Sequence, residues 1–222
     1  MKNFLKKIIT RLFNFFKISE KSIDETLLNT VESTRFVVLD TETTGFDYDN
    51  DRILCIGAVV LQNSVISIPD SFEIYIHQEH YDKNSAQIHG ILKDWVMDKP
   101  SELEALHQFL AFLGDSIIVA HHTMFDVTMI NRALERNGLP HLTNKMLDTA
   151  FLYKRTLIIS NLLERKEKYA LDDLADKFDI SKKDRHTAMG DAYITAIAFL
   201  KIVKKLKNLK GKTEFTLKDL FK

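Results

Sequence analysis

The order of the strand-like and helix-like segments is the feature that most constrains this chain. Three β-branched and aromatic runs, at 36–40, 53–61 and 72–76, are separated by turn-rich segments and predict three consecutive strands. Helical and strand-like segments then alternate: a helix over 101–114, a strand at 117–120, a helix over 125–137, a strand at 146–149, a helix near 171–178 and a long helix over 187–206. Strands followed by this alternation predict an α/β domain in which helices flank a mixed sheet.

Both ends of the chain differ from this central region. Over residues 1–17, apolar side chains recur at spacings of one and three with basic residues between them, which predicts an amphipathic basic helix. We therefore divide the chain into an N-terminal helix and linker (1–33), a core domain (34–206) and a basic C-terminal tail (207–222). The apolar face of the N-terminal helix is predicted to dock on its own domain, on a second copy of the chain, on a partner or on a membrane surface.

The charges are balanced overall but segregated along the chain. There are 31 basic and 31 acidic residues, yet 1–17 holds five basic residues and no acid, and 201–222 holds eight lysines. The acidic middle suits either a carboxylate-rich metal site or a solvated acidic surface, and charge alone does not choose between them. Cys55 is the single cysteine of the sequence, which excludes an internal disulfide, and it lies in an apolar run. No apolar run approaches the roughly 20 residues of a spanning helix, so we expect a soluble cytoplasmic protein.

Four acids and one histidine stand at the ends of predicted strands and the starts of predicted helices. Asp40 and Glu42 stand at the end of the first strand, and their i, i+2 spacing places both carboxylates on one face. Asp126 opens a helix after the strand at 117–120, and His186 and Asp191 flank the start of the last long helix. Each acid alone is explained by a solvated strand end or by the helix dipole. Together they indicate a cation site built from oxygen ligands, suited to Mg²⁺ or Mn²⁺ rather than zinc.

The motifs that carry these residues resemble those of a known family. DTE at 40–42, FD at 125–126 and H-x-A-x-x-D-A at 186–192 occur in the order found in DEDDh-type 3′–5′ exonucleases, the group of the proofreading epsilon subunit, ribonuclease T and oligoribonuclease. The resemblance spans about residues 35–206 and implies a ribonuclease H-like fold. The chain departs from it at His122 and Thr123, where the family more often has Asn and Ala. Other segments match as well: IHGI at 88–91, LDT at 147–149 and YALDDLADKF at 169–178.

The resemblance also implies roles for the five residues. It places two Mg²⁺ or Mn²⁺ ions in the site, with Asp40, Glu42 and Asp191 on the ion that carries the attacking water. Asp40 also bridges to the second ion, which Asp126 binds mainly through water. His186 is the expected general base, because imidazole titrates near neutral pH.

Substrate contacts are predicted around these residues. Lys183 and Arg185, just before His186, are candidates to hold substrate phosphates, although a solvated loop explains them equally well. Phe46 is a candidate to stack on a base, but we expect it in the core, the commoner place for a phenylalanine. By resemblance, the residues that contact the 3′-terminal nucleotide are Thr41, Thr43, Thr44, Gly45, Phe46 and His89.

The resemblance thus predicts a metal-dependent exonuclease that releases nucleoside 5′-monophosphates from a single-stranded or frayed 3′ end, with DNA favoured over RNA. An RNA-trimming exoribonuclease is the alternative within the class. A non-catalytic module that binds a polymerase or nucleic acid is the alternative from another class. A DNA polymerase or a sliding clamp is a candidate partner, although the residues 219–221 fit an apolar contact with the domain better than a clamp-binding tail.

Overall fold

The computed structural model describes residues 30–92, 98–157, 169–211 and 215–222. The helix predicted over 1–17 lies outside these ranges. Within them, no helix is both long enough and apolar enough to cross a membrane.

Five strands form one mixed sheet, which confirms the predicted fold class. The spatial order is β3-β2-β1-β4-β5; β2 runs antiparallel to both β1 and β3, whereas β4 runs parallel to β1 and β5 parallel to β4. The strands are β1 Phe36–Thr43, β2 Ile53–Gln62, β3 Val65–Tyr75, β4 Ile117–Ala120 and β5 Met146–Asp148.

Seven helices in the described ranges accompany the sheet. A capping box formed by Ser101 and Glu104 begins the helix that was predicted over 101–114. The last long helix extends to Lys210, four residues beyond the prediction, and ends at Gly211 in the left-handed conformation that favours glycine. The helices are α1 Lys83–His89, α2 Glu102–Leu113, α3 Met124–Arg136, α4 Thr149–Lys154, α5 Leu171–Lys177, α6 Ala188–Lys210 and α7 Leu217–Leu220.

The core lies on both faces of the sheet, and β1 is buried on both sides. Val37 and Leu39 face α2 and α3, whereas Phe36 and Val38 face α6. The ring of Phe36 packs edge-on against that of Phe199 in α6, with centroids 5.2 Å apart. Burial on both faces fixes the position of β1, and therefore of the acids at its end.

The first turn of α6 lies directly on β2, beside the end of β1. Gly57 of β2 pairs with Asp40 of β1. A Cβ atom at Gly57 would lie 2.3 Å from the carbonyl carbon of Ala188 and 2.4 Å from the amide nitrogen of Met189. Only glycine permits this approach, which brings the first turn of α6 to the two acids of β1.

The two ends of the described chain meet at the far end of α6. Thr30 forms an isolated antiparallel bridge with Thr216. Leu217 and Leu220 are buried in the core between α6 and the sheet, and Arg155 donates a hydrogen bond of 2.6 Å to the carbonyl oxygen of Leu220. The residues around α7 therefore make the apolar contact with the domain that the sequence favoured.

Replacing Gly57 by alanine is expected to destabilise the protein by about 3 kcal/mol, because the backbone of α6 leaves no room for the methyl group. Urea unfolding measures the change. Gly211→Ala is the matched control at the other end of α6: its φ is positive but its surroundings are open, so about 1 kcal/mol is expected. Equal losses from the two variants would contradict the close approach at Gly57.

Candidate active site

Three carboxylates from β1 and α6 meet at the end of the sheet. Asp40 and Glu42 are half-buried on the same face of β1, and Asp191, buried to 5% exposure, lies in the first turn of α6. One oxygen from each of the three lies within 4.8 Å of the others. The structure therefore brings together residues that are about 150 positions apart in the sequence.

Asp126 joins this group from α3. It is buried to 3% exposure in the first turn of that helix. Its Oδ1 accepts hydrogen bonds from the backbone nitrogen of Thr41 at 3.0 Å and from the Thr41 hydroxyl at 2.7 Å. Because Thr41 lies between Asp40 and Glu42 in the chain, these bonds fix α3 against the end of β1. We call Asp40, Glu42, Asp126 and Asp191 the acidic site.

Burial makes ionisation of the acidic site costly. It raises the pKa of Asp40 well above its ordinary value, and the nearby carboxylates of Asp126 and Asp191 raise it further. Burial likewise raises the pKa of Glu42 and of Asp126 to about 7, although the Thr41 hydrogen bonds oppose the rise at Asp126. The donor atoms of the site are all carboxylate oxygens, which suits a hard divalent cation rather than zinc.

The loop that precedes α6 carries His186 and Arg185. His186 has a left-handed backbone with φ of 65°, an exposed side chain, and a backbone nitrogen that donates to Asp191 Oδ1 at 3.4 Å. Arg185 donates to both oxygens of Asp172 in α5, at 3.0 and 3.3 Å, and also to Asp191 Oδ2. The histidine therefore stands at the rim of the acidic site, whereas the arginine reaches into it.

The loop between β4 and α3 accommodates both departures from the family pattern. His122 has φ of 62°, a conformation in which Asn and His are over-represented. Thr123 is buried, and its hydroxyl donates to the carbonyl oxygens of Ala120 and Leu147. Asp148 accepts from the Thr123 nitrogen at 3.1 Å and so holds the loop that leads to Asp126. Asp148 was not predicted from the sequence as a site residue, although its place between a strand and a helix was a usable signal.

Several residues predicted to contact substrate make hydrogen bonds within the protein. The Thr43 hydroxyl donates to the carbonyl oxygen of Gly45 at 2.7 Å, and the Thr44 hydroxyl donates to Asp51 at 2.7 Å. His89 is buried, and its Nδ1 accepts from the Ile91 nitrogen. Burial lowers the pKa of His89, so this imidazole is favoured in its neutral form.

Phe46 is not in the core, and that expectation was wrong. Its side chain is 81% exposed, because it follows Gly45 in the loop that leaves the sheet. Its ring lies 5.6 Å from that of Phe125, and the ring of Tyr48 lies 5.9 Å from Phe125 on the same surface. We call Phe46, Tyr48 and Phe125 the aromatic shelf. It borders the acidic site, since Phe125 directly precedes Asp126. Tyr48 was not identified from the sequence.

The three basic residues before His186 are placed differently from one another. Lys182 forms an ion pair of 2.6 Å with Asp176 of α5, and Lys183 is exposed. Arg185 is directed inward to Asp172 and Asp191. Only Lys183 and Lys182 therefore extend from the loop toward the surface.

Glu42→Gln is expected to stabilise the metal-free protein at pH 8 but not at pH 4. The folded-state pKa of Glu42, about 7, exceeds its ordinary value of 4.5, so the folded state binds more protons and its stability falls as pH rises through this window. The variant lacks this loss. We expect its Tm advantage in EDTA to grow to about 2–4 °C, equivalent to about 1 kcal/mol. Glu73→Gln, at an exposed position on β3, is the control and should change little. An advantage of equal size at all pH values would contradict the assignment.

The chain is similar to a known protein family and to several known proteins. A family model described as exonuclease, RNase T, matches residues 37–199. Among curated proteins, the PolC-type DNA polymerase III of Caldanaerobacter subterraneus subsp. tengcongensis is 35% identical over 175 residues, covering 78% of this chain and 12% of that protein. The PolC-type enzyme of Thermotoga maritima is 34% identical over 182 residues, covering 82% of this chain and 13% of that protein. The chain thus spans about an eighth of the length of these relatives.

Solved structures share the fold at lower identity. Cell-death related nuclease 4 superposes with a TM-score of 0.67 at 15% identity, covering 78% of this chain and 64% of that one. E. coli exonuclease I, in complex with a dT13 oligonucleotide, gives 0.67 at 17% identity, covering 81% and 43%. Exonuclease X, in complex with 5′ overhanging duplex DNA, gives 0.60 at 22% identity, covering 85% and 99%. These likenesses confirm the ribonuclease H-like fold, and the family match over 37–199 shows that this chain belongs to the RNase T exonuclease family of hydrolases.

Proposed function

We propose that this exonuclease hydrolyses the terminal phosphodiester bond at the 3′ end of single-stranded or frayed DNA and releases nucleoside 5′-monophosphates. The observation that carries the proposal is the acidic site lying beside an exposed aromatic shelf. The first feature suits phosphodiester hydrolysis and the second suits an unpaired base. The similarity to PolC-type DNA polymerases, and to exonuclease I solved with an oligonucleotide, supports DNA as the substrate.

The acidic site would hold the metal ions of this reaction. We propose that the site would hold two Mg²⁺ or Mn²⁺ ions, with Asp40, Glu42 and Asp191 as direct ligands and Asp126 as a ligand mainly through water. Bound divalent ions lower the pKa of water and stabilise negative charge at phosphorus. The burial that raises the pKa of the carboxylates also makes a divalent cation a favourable partner for them.

His186 is proposed to take the proton from the attacking water. Its exposed imidazole stands on the loop that enters α6, and its backbone nitrogen is linked to Asp191. This hydrogen bond fixes the proposed general base relative to one carboxylate of the acidic site. A histidine suits the step because imidazole changes protonation near neutral pH.

The aromatic shelf is proposed to stack on the base of the 3′-terminal nucleotide. Phe46 offers the most exposed ring of the three, and Phe125 holds it beside the acidic site. Stacking on an aromatic side chain is worth about 1–3 kcal/mol per base and tolerates any base. Lys183 is proposed to contact a phosphate of the same strand, because it is exposed on the loop next to His186.

The proposed reaction site lies wholly within the predicted core domain, 34–206. Residues 1–33 are then proposed to serve association, with a DNA polymerase or a clamp as candidate partners. We also propose that the protein acts in the cytoplasm.

Cys55 is a buried thiol whose pKa is raised by burial, so it is poorly suited to redox chemistry.

Asp40→Ala and Asp191→Ala are expected to abolish cleavage while leaving the protein folded, since each removes a ligand from a site where like charges repel. His186→Ala should lower the rate by about 10²–10⁴-fold, the usual contribution of a general base. Release of nucleotide from 3′-labelled single-stranded DNA with Mg²⁺ measures both effects. Asp70→Ala, at an exposed position of β3, is the control. A wild-type rate for His186→Ala across pH would contradict the role of the base.

The substrate is tested with the same assay. Matched single-stranded DNA, single-stranded RNA, a dinucleotide and circular DNA are compared at equal concentration, and DNA with a free 3′ end is expected to be the best. Faster cleavage of RNA would favour the RNA-trimming alternative, and cleavage of the circle would contradict exonuclease action. Inactivity on all four would contradict the proposed function.

Removing residues 1–17 is expected to leave the cleavage rate on short oligonucleotides within a few-fold of that of the full chain. The reason is that every residue of the acidic site, and His186, lies at or after Asp40 in the sequence. Oligomer mass or binding to anionic vesicles should change, since the basic apolar segment is lost. Light scattering and vesicle sedimentation measure association. A truncated protein that cleaves nothing, or that associates as the full chain does, would contradict this division of the chain.

A further inference from the structure

Arg185 is a cation that the chain itself places in the acidic site. Its side chain is only 18% exposed. One edge of the guanidinium donates to both oxygens of Asp172, and the remaining nitrogen donates to Asp191 Oδ2. Asp172 is in α5, outside the acidic site, and its side chain is 46% exposed. Arg185 therefore connects one carboxylate of the site with one carboxylate outside it.

The charge of Arg185 is felt beyond its contact with Asp191. Burial raises the pKa of Asp40, of Glu42 and of Asp191, and the positive charge of Arg185 opposes the rise at all three. The arginine thus supplies part of the positive charge that a bound metal ion would supply.

A metal ion and Arg185 compete for the same carboxylate. Asp191 is a proposed ligand, and Arg185 occupies its Oδ2. An arginine stays charged at any working pH, so it does not leave this position by losing a proton. The guanidinium does have a second anion to bind, which is Asp172. Two parallel hydrogen bonds to this carboxylate hold the guanidinium in a fixed orientation.

We propose that Arg185 is a built-in competitor for the divalent cation. Asp172 is then a positioning residue that weakens this competition, because it gives the guanidinium a second carboxylate to stay bound to when a metal ion displaces it from Asp191. The inference rests on the proposed metal-dependent function and adds to it the residues that set metal affinity. It assigns to Arg185 a role different from the phosphate contact predicted from the sequence.

The test is direct titration of the full chain with Mn²⁺, without nucleic acid, by calorimetry and by the loss of the free-ion electron paramagnetic resonance signal. Arg185→Gln removes the competitor, and its Kd for Mn²⁺ should fall about 5- to 10-fold, the size of one partly buried ion pair. Asp172→Asn removes the carboxylate that holds Arg185 outside the acidic site, so that Asp191 becomes the only carboxylate bound to Arg185. The Kd for Mn²⁺ should then rise by a similar factor.

The double variant separates competition from structural damage. With Arg185 absent, Asp172 has nothing to hold, so Asp172→Asn combined with Arg185→Gln should bind Mn²⁺ as Arg185→Gln alone does. Arg185→Lys, which keeps the charge but loses the fork, should give a Kd nearer the wild type than Arg185→Gln does. Asp176→Asn is the matched control: it removes an ion pair between α5 and the same loop, at Lys182, and should leave Kd unchanged.

The outcomes distinguish this inference from the function on which it rests. If Arg185→Gln and Asp172→Asn both weaken Mn²⁺ binding, or neither changes it, the competition is overturned while the metal site stands. If the wild-type chain binds no Mn²⁺, both the inference and the proposed metal-dependent function are overturned. Should Arg185→Gln fail to fold by circular dichroism, Asp172→Asn and Arg185→Lys decide between a rise and a fall in Kd.

Discussion

Four carboxylates share one end of the sheet, and the rest of the domain holds them there against their mutual repulsion. Burial raises the pKa of each, which means that the folded chain keeps them together at a cost in stability. The hydrophobic core on both faces of β1 offsets that cost. Asp40 and Glu42 belong to this strand, so they cannot move away from the other acids without disturbing its packing. Sites with such a built-in cost are typical of function rather than of structure.

Different interactions deliver the other two acids to this place. Asp126 arrives through two hydrogen bonds to Thr41, so its position follows β1 directly. Asp191 arrives because Gly57 lets α6 lie on β2, and it is then neutralised in part by Arg185. The lack of a side chain at Gly57 and the positive charge of Arg185 therefore allow Asp191 to join the two acids of β1.

The sequence predicted the elements that have strong periodic or motif signals. The strand that carries Asp40 and the helices that begin near Asp126 and Asp191 were placed correctly, although β1 continues three residues beyond its prediction, to Thr43. Burial on a regular face leaves a pattern in the sequence. The strand β3 begins at Val65, seven residues before its prediction, since its first half is an exposed edge without alternation. The helices α1, α4 and α7 were not predicted, because four to seven residues give only a weak helical period. The equally short α5 was predicted, near 171–178. The bond between Arg185 and Asp172 depends on how α5 packs beside α6, which no local pattern encodes.

The bridge between Thr30 and Thr216 has a consequence for how such a domain is attached to other polypeptides. It brings both ends of the described chain to one place, beside the last turn of α6, while the acidic site lies at the first turn. The 23 residues of α6 separate the two by about 35 Å. A domain whose ends are adjacent can be inserted into a loop of another protein as a single module. In a domain inserted in this way, the acidic site would point away from the point of attachment.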